Sequence, residues 1–296
     1  MTENPPENQP PGLEEFLAAP LAAVAAVAPP TVFVSPGGTR RSAALAGVRH
    51  DSEEYPVWAR RQVIEYIGLL FRLGVRHVCI TSLRHSSLSE VGRFQQRLVA
   101  WTEKSLMGEE AQADYARLDC RARLIGAEAI PALHALDGKL REVTAGRGAE
   151  RTLWYYISPS PEAHWETLFE TAIRTQARTR AEMIRALYGE DIPLGTMCIS
   201  NGKPMVAADI FPLLLAGEVQ CYWFQRPGFT LDERILRHVI YDYAYLRKTW
   251  SKDKSQRYVD VVKQRAFWER KVILGLGRRV GPFWYPVGSP EEGPEE

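Results

Sequence analysis

The stretch TVFVSPGGTRRSA, residues Thr31–Ala43, joins a short apolar run to a turn of glycines and arginines. The first four residues are mostly β-branched or aromatic, which is typical of a buried strand. The turn that follows offers flexible backbone at Gly37 and Gly38 and two guanidinium groups at Arg40 and Arg41. Backbone amides and guanidinium groups bind phosphate oxygens well. The stretch therefore predicts a phosphate or diphosphate site at the end of a strand, and a plain surface turn is the alternative.

Apolar runs and helical periodicities alternate along the rest of the chain. Helices are predicted at about 54–73, 87–107, 161–188 and 231–250, with one more before the TAGRG segment. Further strands are predicted in the segments RHVCITSL, CRARLIG, RTLWYYIS, TMCIS and EVQCYWF. This pattern predicts a single α/β domain with a central six-stranded, mostly parallel sheet flanked by helices. Such folds bind ligands beyond the carboxyl ends of their strands, where the glycine-rich turn lies.

Composition places this domain between two polar tails. The 296 residues are 45% hydrophobic, which is enough for a full core. We predict a disordered arm at 1–12, one domain at 13–250, a C-terminal extension at 251–286 and a disordered tail at 287–296. The run LAAPLAAVAAVAPP is broken by Pro20 and too short to span a bilayer, so it predicts one short helix and no membrane span.

Charge and cysteine content argue against several classes of protein. Lysine and arginine (37) almost balance aspartate and glutamate (36), so the chain lacks the positive surplus that nucleic-acid binding needs. The four cysteines form no CxxC pair and lie mostly in apolar runs, which is typical of reduced thiols in a cytoplasmic protein. The turn matches neither GxxxxGK[ST] nor GxGxxG, which disfavours an ordinary nucleotide-binding enzyme.

The segments GGTRRS, LRHSSLS, CRARLIGAEAIP and GEVQCYWFQRPGF follow one another in an order that resembles the cis-prenyltransferase superfamily, of the undecaprenyl diphosphate synthase type. GGTRRS stands where that superfamily has D-G-N-G-R-W, and LRHSSLS where it has F-S-T-E-N. The match covers roughly Thr31–Trp250. The runs EEFLAAPLAAVA, GTRR, FPLLLAGE and LRHVIYDYAYLRK resemble its tuberculosinol/isotuberculosinol synthase branch.

The resemblance implies a homodimer of α/β subunits, each with a deep hydrophobic tunnel that takes a prenyl diphosphate. The implied protein is a terpene synthase or prenyl diphosphate-processing enzyme. It would expel diphosphate from a C15–C20 substrate, open-chain or already cyclic, and cyclise the carbocation or quench it with water or another nucleophile. The alternative is a binding or partner protein of the same fold that performs no chemistry.

Two departures from the family pattern bear on metal and activity. Gly37 stands at the turn aspartate that organises Mg²⁺ and the diphosphate in the family, so a Mg²⁺ requirement stays open. The segment ISNGKPMVAAD has no arginine where chain-elongating members have R-T-S-G-E and R-L-S, so we do not expect cis elongation. Glu218 occupies the position at which chain-elongating members of the family have a second metal-associated glutamate. It is either a metal ligand or a solvated residue at the start of a strand.

Candidate site residues lie in the two turns and on the helices beside them. The resemblance implies that Tyr55 positions water or shuttles a proton, and the alternative is that it opens the helix and only packs its ring. Arg40 would stabilise the leaving diphosphate. His85 would act as an acid, a base or a phosphate contact, with a surface histidine that has no role as the alternative. Trp58 and Phe94 would stabilise a carbocation through their π faces, with core packing as the alternative. The predicted substrate-binding set is Gly37, Gly38, Thr39, Arg40, Arg41, Arg84, Trp58 and Phe94.

Overall fold

The computed structural model of this chain describes residues 10–90, 93–127, 130–148, 150–229, 231–249, 253–270 and 273–287. Within these ranges a central sheet has six strands, namely β1 (Thr31–Ser35), β2 (His77–Arg84), β3 (Arg121–Ile125), β4 (Thr152–Ser158), β5 (Gly195–Asn201) and β6 (Ala216–Phe224). The strand order is β3-β4-β2-β1-β5-β6, and neighbouring strands are parallel. The predicted α/β fold with a six-stranded parallel sheet is confirmed.

Helices flank this sheet and connect its strands. They are α1 (Leu13–Ala18), α2 (Leu21–Ala25), α3 (Thr39–Leu45), α4 (Glu54–Arg72), α5 (His85–Leu88), α6 (Arg93–Met107), α7 (Glu109–Leu118), α8 (Leu136–Val143), α9 (Ala163–Thr175), α10 (Arg180–Tyr188), α11 (Glu233–Tyr241), α12 (Arg257–Lys263) and α13 (Arg265–Trp268). Helix α4 agrees with the predicted helix at 54–73. It ends next to Gly74, whose φ of 99° is in the left-handed region that favours glycine.

The predicted long helix at 161–188 is wrong, because the structure has two helices there. Helix α9 ends at Gln176, which has a φ of 55° and so cannot continue a right-handed helix. A capping box then starts α10, in which the Thr179 hydroxyl accepts a hydrogen bond from the Glu182 amide at 3.2 Å. The apolar periodicity runs through both helices, so it could not reveal the break.

Three other helices differ from their predicted bounds. The alanine-rich run forms two helices, α1 and α2, separated by the extended Pro20. The helix predicted at 231–250 is α-helical only to Tyr241 and continues as a π-helical turn at Asp242–Leu246. The helix predicted at 87–107 begins as α6 at Arg93. Of the two predicted disordered tails, residues 1–9 and 288–296 lie outside the described residues.

The core covers both faces of the sheet, and β1 lies at its centre. Val32 and Val34 pack on the face that carries α4, whose Ile67 and Leu70 are buried against it. Phe33 points to the opposite face, where its ring stacks on Phe211 with 4.4 Å between centroids. All five residues of β1 are buried, as expected for the central strand of a parallel sheet. The turn after β1 is therefore held by a rigid element.

The C-terminal extension carries α12, α13 and a hairpin of two antiparallel strands, β7 (Gly277–Val280) and β8 (Phe283–Pro286). Most of its described residues are exposed. Phe283 contacts the domain, since the Arg41 guanidinium lies 5.2 Å from its ring centroid. Across the described residues, we find no helix with the length and apolar character that a bilayer crossing requires.

His77, at the start of β2, should make stability depend on pH. Burial and the nearby charges of Arg121 and Arg76 lower the pKa of His77 to about 4, and the Trp154 indole donates a hydrogen bond to its Nδ1 at 3.3 Å. Between pH 6.5 and about 4 the unfolded chain binds a proton that the folded chain does not. The free energy of unfolding therefore falls as pH drops through this window.

Denaturant unfolding at pH 7.5 and pH 5 checks this prediction. His77→Gln should reduce the loss of stability between the two pH values, because glutamine does not titrate. His238→Gln, at an exposed histidine of α11, is the matched control and should keep the wild-type loss. An equal loss in His77→Gln and wild type would contradict the assignment.

Candidate active site

A cavity of about 360 Å³ opens at the carboxyl ends of β1 and β2, between these strands and helices α4 and α6. Its polar part comes from the turn after β1 and from the end of β2. Its other part is apolar and aromatic, with walls from Val63, Ile64, Leu98, Trp101 and Phe229. A cavity of this kind suits a ligand with a charged head and a hydrocarbon body.

The turn after β1 requires glycine at two successive positions. A Cβ at Gly37 would lie 2.2 Å from the backbone oxygen of Asn201, at the end of β5. Gly38 has a φ of 79°, and a Cβ there would lie 2.6 Å from Nη2 of Arg41. The Gly37 carbonyl also accepts a hydrogen bond from the Gly228 amide at 3.1 Å. The turn is thus fixed from two sides and leaves no room for a carboxylate at position 37.

Tyr55 lies in the first turn of α4 and reaches the turn after β1. Its hydroxyl is 3.0 Å from Oγ1 of Thr39, and both residues line the cavity. Its ring lies 6.2 Å from that of Trp101. Burial raises the pKa of the Tyr55 phenol, which therefore stays protonated at neutral pH. Tyr55 can donate or relay a hydrogen bond here, but it does not carry the negative charge of a strong base.

Two arginines of the cavity are each held by a carboxylate. The Arg40 guanidinium donates from Nη1 and Nη2 to Glu90, at 2.8 and 2.6 Å. The Arg84 guanidinium donates from Nε and Nη2 to Asp209, at 2.9 and 3.0 Å. Arg41 has a different place, over the ring of Phe283, and it is not among the described residues that line the cavity. The structure therefore places Arg40 and Arg84, and not Arg41, at the polar part of the cavity.

Other predicted site residues lie elsewhere among the described residues. His85 is next to Arg84, but its Nδ1 lies 2.9 Å from the carbonyl of Pro159 and its ring does not line the cavity. Trp58 packs beside Tyr55 and Trp101, outside the lining. Phe94 belongs to α6, and its side chain lies outside the described residues. The catalytic and binding roles given to these residues stay predictions.

Glu218 lies far from the turn along the strand direction. It is exposed, near the start of β6, whereas the turn follows the end of β1 in the same parallel sheet. The described residues contain no cluster of three or more histidine, cysteine, aspartate or glutamate side chains that could hold a metal ion. Glu90 and Asp209 are engaged by arginines. The described side chains around the turn therefore do not fit a protein-held Mg²⁺ site.

Three polar residues at or beside the cavity were not part of the predicted site set. Arg60 lines its wall and donates to Asp114 of α7 at 2.6 and 2.7 Å. Tyr155 lines it from β4, and its hydroxyl is 3.1 Å from that of Tyr115. Asp209 comes from the connection between β5 and β6. Tyr155 had a signal in the sequence as part of an aromatic strand run. Arg60 also had one, because it precedes Ile64 by one helical turn and so interrupts the apolar face of α4.

Comparisons with known proteins agree with this architecture. No known family model matches the sequence. (+)-Kolavelool synthase of Herpetosiphon aurantiacus is 38% identical over 280 residues, which cover 94% of this chain and 96% of that protein. Tuberculosinyl adenosine transferase of Mycobacterium tuberculosis is 24% identical over 295 residues, 93% of this chain and 98% of that protein.

Two solved structures share the fold. Lavandulyl diphosphate synthase from Lavandula x intermedia, solved with dimethylallyl diphosphate, has a TM-score of 0.54 at 12% identity and covers 74% of this chain and 96% of its own. A probable undecaprenyl diphosphate synthase from Campylobacter jejuni has a TM-score of 0.56 at 11% identity, with coverages of 75% and 98%. The fold is that of the cis-prenyltransferases, as the sequence resemblance implied. Within that superfamily, the chain belongs to the family of terpene-processing enzymes that includes (+)-kolavelool synthase.

Gly37→Ala should destabilise the protein, because its Cβ would overlap the Asn201 carbonyl. We expect the free energy of unfolding to fall by about 1–3 kcal/mol, as in overpacked sites. Gly37→Asp, which restores the family's aspartate, should lower activity with or without Mg²⁺ for the same reason. Gly12→Ala is the matched control, since a Cβ there meets nothing within 4 Å. Wild-type stability in Gly37→Ala, or a gain of Mg²⁺-dependent activity in Gly37→Asp, would contradict this account of the turn.

Proposed function

We propose that this protein is a terpene synthase that converts a prenyl diphosphate of C15–C20, open-chain or already cyclic, into a terpene alcohol. The observation that carries the proposal is the cavity, which joins Arg40, Arg84 and a Tyr55–Thr39 hydroxyl pair to an apolar and aromatic space. The relative at 38% identity supports it, because its name denotes the synthesis of an alcohol.

Cavity size supports a substrate of this length. An apolar cavity of roughly 150 Å³ holds one benzene ring in a well-studied protein. The cavity here, at about 360 Å³, offers roughly two to three times that space. The cavity therefore has space for a hydrocarbon larger than one ring, as the proposed substrate requires.

The proposed reaction breaks the allylic C–O bond, and the electron pair leaves with the diphosphate. The guanidinium groups of Arg40 and Arg84, with amides of the turn, would stabilise the charge that develops on the leaving group. The rings of Trp101, Tyr155 and Phe229 line the space for the allylic cation, which aromatic π faces stabilise. Water then forms the new C–O bond and loses one proton, so substrate and water give alcohol and protonated diphosphate.

Tyr55 would hold the attacking water or pass on its proton. Its neutral phenol and the Thr39 hydroxyl lie beside the turn that would hold the diphosphate. The departing diphosphate is the base available for the final proton, because the described lining offers no unpaired carboxylate. A hydroxyl pair can relay that proton over a short path.

We propose that arginines and backbone amides of the protein bind the diphosphate, and that no carboxylate side chain holds a Mg²⁺ ion there. Gly37 has no space for the family's aspartate, and the carboxylates nearest the arginines are already paired. When present, Mg²⁺ would neutralise charge on the diphosphate. Diphosphate release should therefore persist in EDTA.

The direct test incubates the purified protein with farnesyl, geranylgeranyl and bicyclic diterpenyl diphosphates, with Mg²⁺ or with EDTA. Diphosphate release and organic-phase products are measured. We expect release and an alcohol from at least one substrate. Saturable binding without turnover on any of them would contradict the proposal and favour a binding or partner protein of the same fold.

Tyr55→Phe supplies the residue-level check. It keeps the ring and removes the hydroxyl, so kcat should fall at least about tenfold while the protein stays folded. Tyr243→Phe is the matched control, because it removes a similar hydrogen bond, to Thr196 at 2.6 Å, outside the cavity lining. Equal kcat values for the two variants would contradict a role for the Tyr55 hydroxyl.

We further propose that the protein is a cytoplasmic homodimer. Its four cysteines are free thiols, which suits a reducing compartment. Trp165, Phe169 and Ile173 recur every four residues on α9 and expose 42%, 67% and 79% of their surface. An apolar helix face of this kind suits a second copy of the chain, since dimer interfaces are rich in such side chains.

Light scattering coupled to size exclusion should report a dimer for the wild type. Phe169→Glu should shift it toward the monomer, because it places a charge in the middle of this face. Leu45→Glu, at an isolated exposed leucine of α3, is the matched control. A monomeric wild type, or a dimer of unchanged strength in Phe169→Glu, would contradict the proposal.

A further inference from the structure

The connection between β5 and β6 is fastened to the sheet on both sides of Asp209. Thr81 of β2 donates a hydrogen bond from its hydroxyl to the Ile210 carbonyl. Tyr156 of β4 donates from its hydroxyl to the Ala208 carbonyl at 2.6 Å. Thr81 and Tyr156 are direct partners in the register of β2 and β4. The hydroxyl groups of two neighbouring residues of the sheet therefore donate hydrogen bonds to the two backbone carbonyls that flank Asp209.

The next residues of the connection are held as well. Ile210 is buried, and the Phe211 ring stacks on that of Phe33 in the central strand, with 4.4 Å between centroids. The Asp209 carboxylate thus has a backbone that is fixed before and after it. Its side chain is only 15% exposed, so water screens its charge incompletely.

Asp209 binds the Nε and Nη2 edge of the Arg84 guanidinium and does not engage Nη1. The two hydrogen bonds use Nε and Nη2 of Arg84, at 2.9 and 3.0 Å. A guanidinium has five N–H donors in a rigid plane, and the Nη1 group carries two of them. Because Asp209 fixes that plane, it also fixes the direction of Nη1. Arg84 itself lines the cavity beside the turn.

Arg40 is held in a different way. Glu90 binds both Nη1 and Nη2, so the terminal edge of the Arg40 guanidinium is already taken. This pair is also more exposed, at 44% and 30% of the two side chains. A diphosphate that needs the terminal edge of Arg40 must displace Glu90, whereas Nη1 of Arg84 needs no such exchange.

We propose that Asp209 is a positioning residue, which orients Arg84 so that its Nη1 group meets the diphosphate of the substrate. The inference rests on the proposed function, since the diphosphate is that of the proposed substrate. Asp209 touches no substrate atom and acts through Arg84. This orientation favours substrate binding and reaction, because the Arg84 side chain loses its conformational entropy before the substrate binds.

Asp209→Asn tests the inference, because it removes the charge and keeps the size of the side chain. We expect kcat/KM for the prenyl diphosphate to fall about tenfold, mainly through kcat, since orientation matters most where charge develops. Asp209→Glu should restore part of this loss, because it returns a bidentate partner. Glu90→Gln is the matched control, with the same charge change at a second arginine of the cavity. It should instead lower KM by releasing Arg40.

A double-mutant cycle separates positioning from a structural role. In an Arg84→Met background, Asp209→Asn should change kcat/KM by less than about twofold, because the arginine through which it acts is gone. Additive effects of the two substitutions would overturn the inference. So would a kcat in Asp209→Asn equal to that of the wild type.

Binding of inorganic diphosphate, followed by calorimetry, separates this inference from the proposed function. We expect Asp209→Asn to weaken diphosphate binding severalfold, and to have no effect in the Arg84→Met background. That result would support the positioning role of Asp209 even if the protein turned over no prenyl diphosphate. Absence of turnover would then contradict the proposed function alone. Unchanged diphosphate binding in Asp209→Asn would overturn the inference, whatever the turnover.

Discussion

The close approach of the turn after β1 to the end of β5 is the contact on which the site depends. The Asn201 carbonyl oxygen lies 2.2 Å from where a Cβ of residue 37 would be, and the Gly228 amide donates a hydrogen bond to the Gly37 carbonyl. The turn can take this path only because β1 is the buried central strand between β2 and β5. It places Thr39 against Tyr55 and Arg40 at the cavity. The same contact leaves no space for a carboxylate side chain at position 37.

That exclusion changes how charge is handled in the site. The cavity carries its positive groups as arginines, and Arg40 and Arg84 are each balanced by a carboxylate. The paired state is close to neutral, so an apolar substrate body can lie beside it at a low desolvation cost. A diphosphate then adds negative charge where guanidinium groups and backbone amides provide donors. The fold is that of the cis-prenyltransferases, and the polar part of its cavity includes Arg40, Arg84 and the glycine turn after β1.

Much of the fold could be predicted from the sequence, because local patterns determine it. Buried parallel strands are apolar runs, and the turn after β1 shows its glycines and arginines directly. The break between α9 and α10 could not be predicted, since it depends on the left-handed backbone of Gln176. For the site, the sequence indicated the turn and Tyr55, whereas the position of Arg41 over Phe283 of the C-terminal hairpin had no signal in the sequence.

Asp209 could not have been predicted at all. It lies 125 positions from Arg84 and meets it only because β2 and the β5–β6 connection come together in three dimensions. Contacts of this kind leave no periodicity in the chain. The structure is therefore needed to find an ion pair between a charged side chain and a residue in a distant connection.

A crystal structure with a non-hydrolysable thiolodiphosphate analogue of the substrate would test the account most directly. We predict that its diphosphate lies against the amides of Gly38 and Thr39, within hydrogen-bond distance of Nη1 of Arg84. The hydrocarbon would lie between Trp101 and Phe229. A diphosphate bound elsewhere on the chain, or a hydrocarbon outside the cavity, would contradict the account.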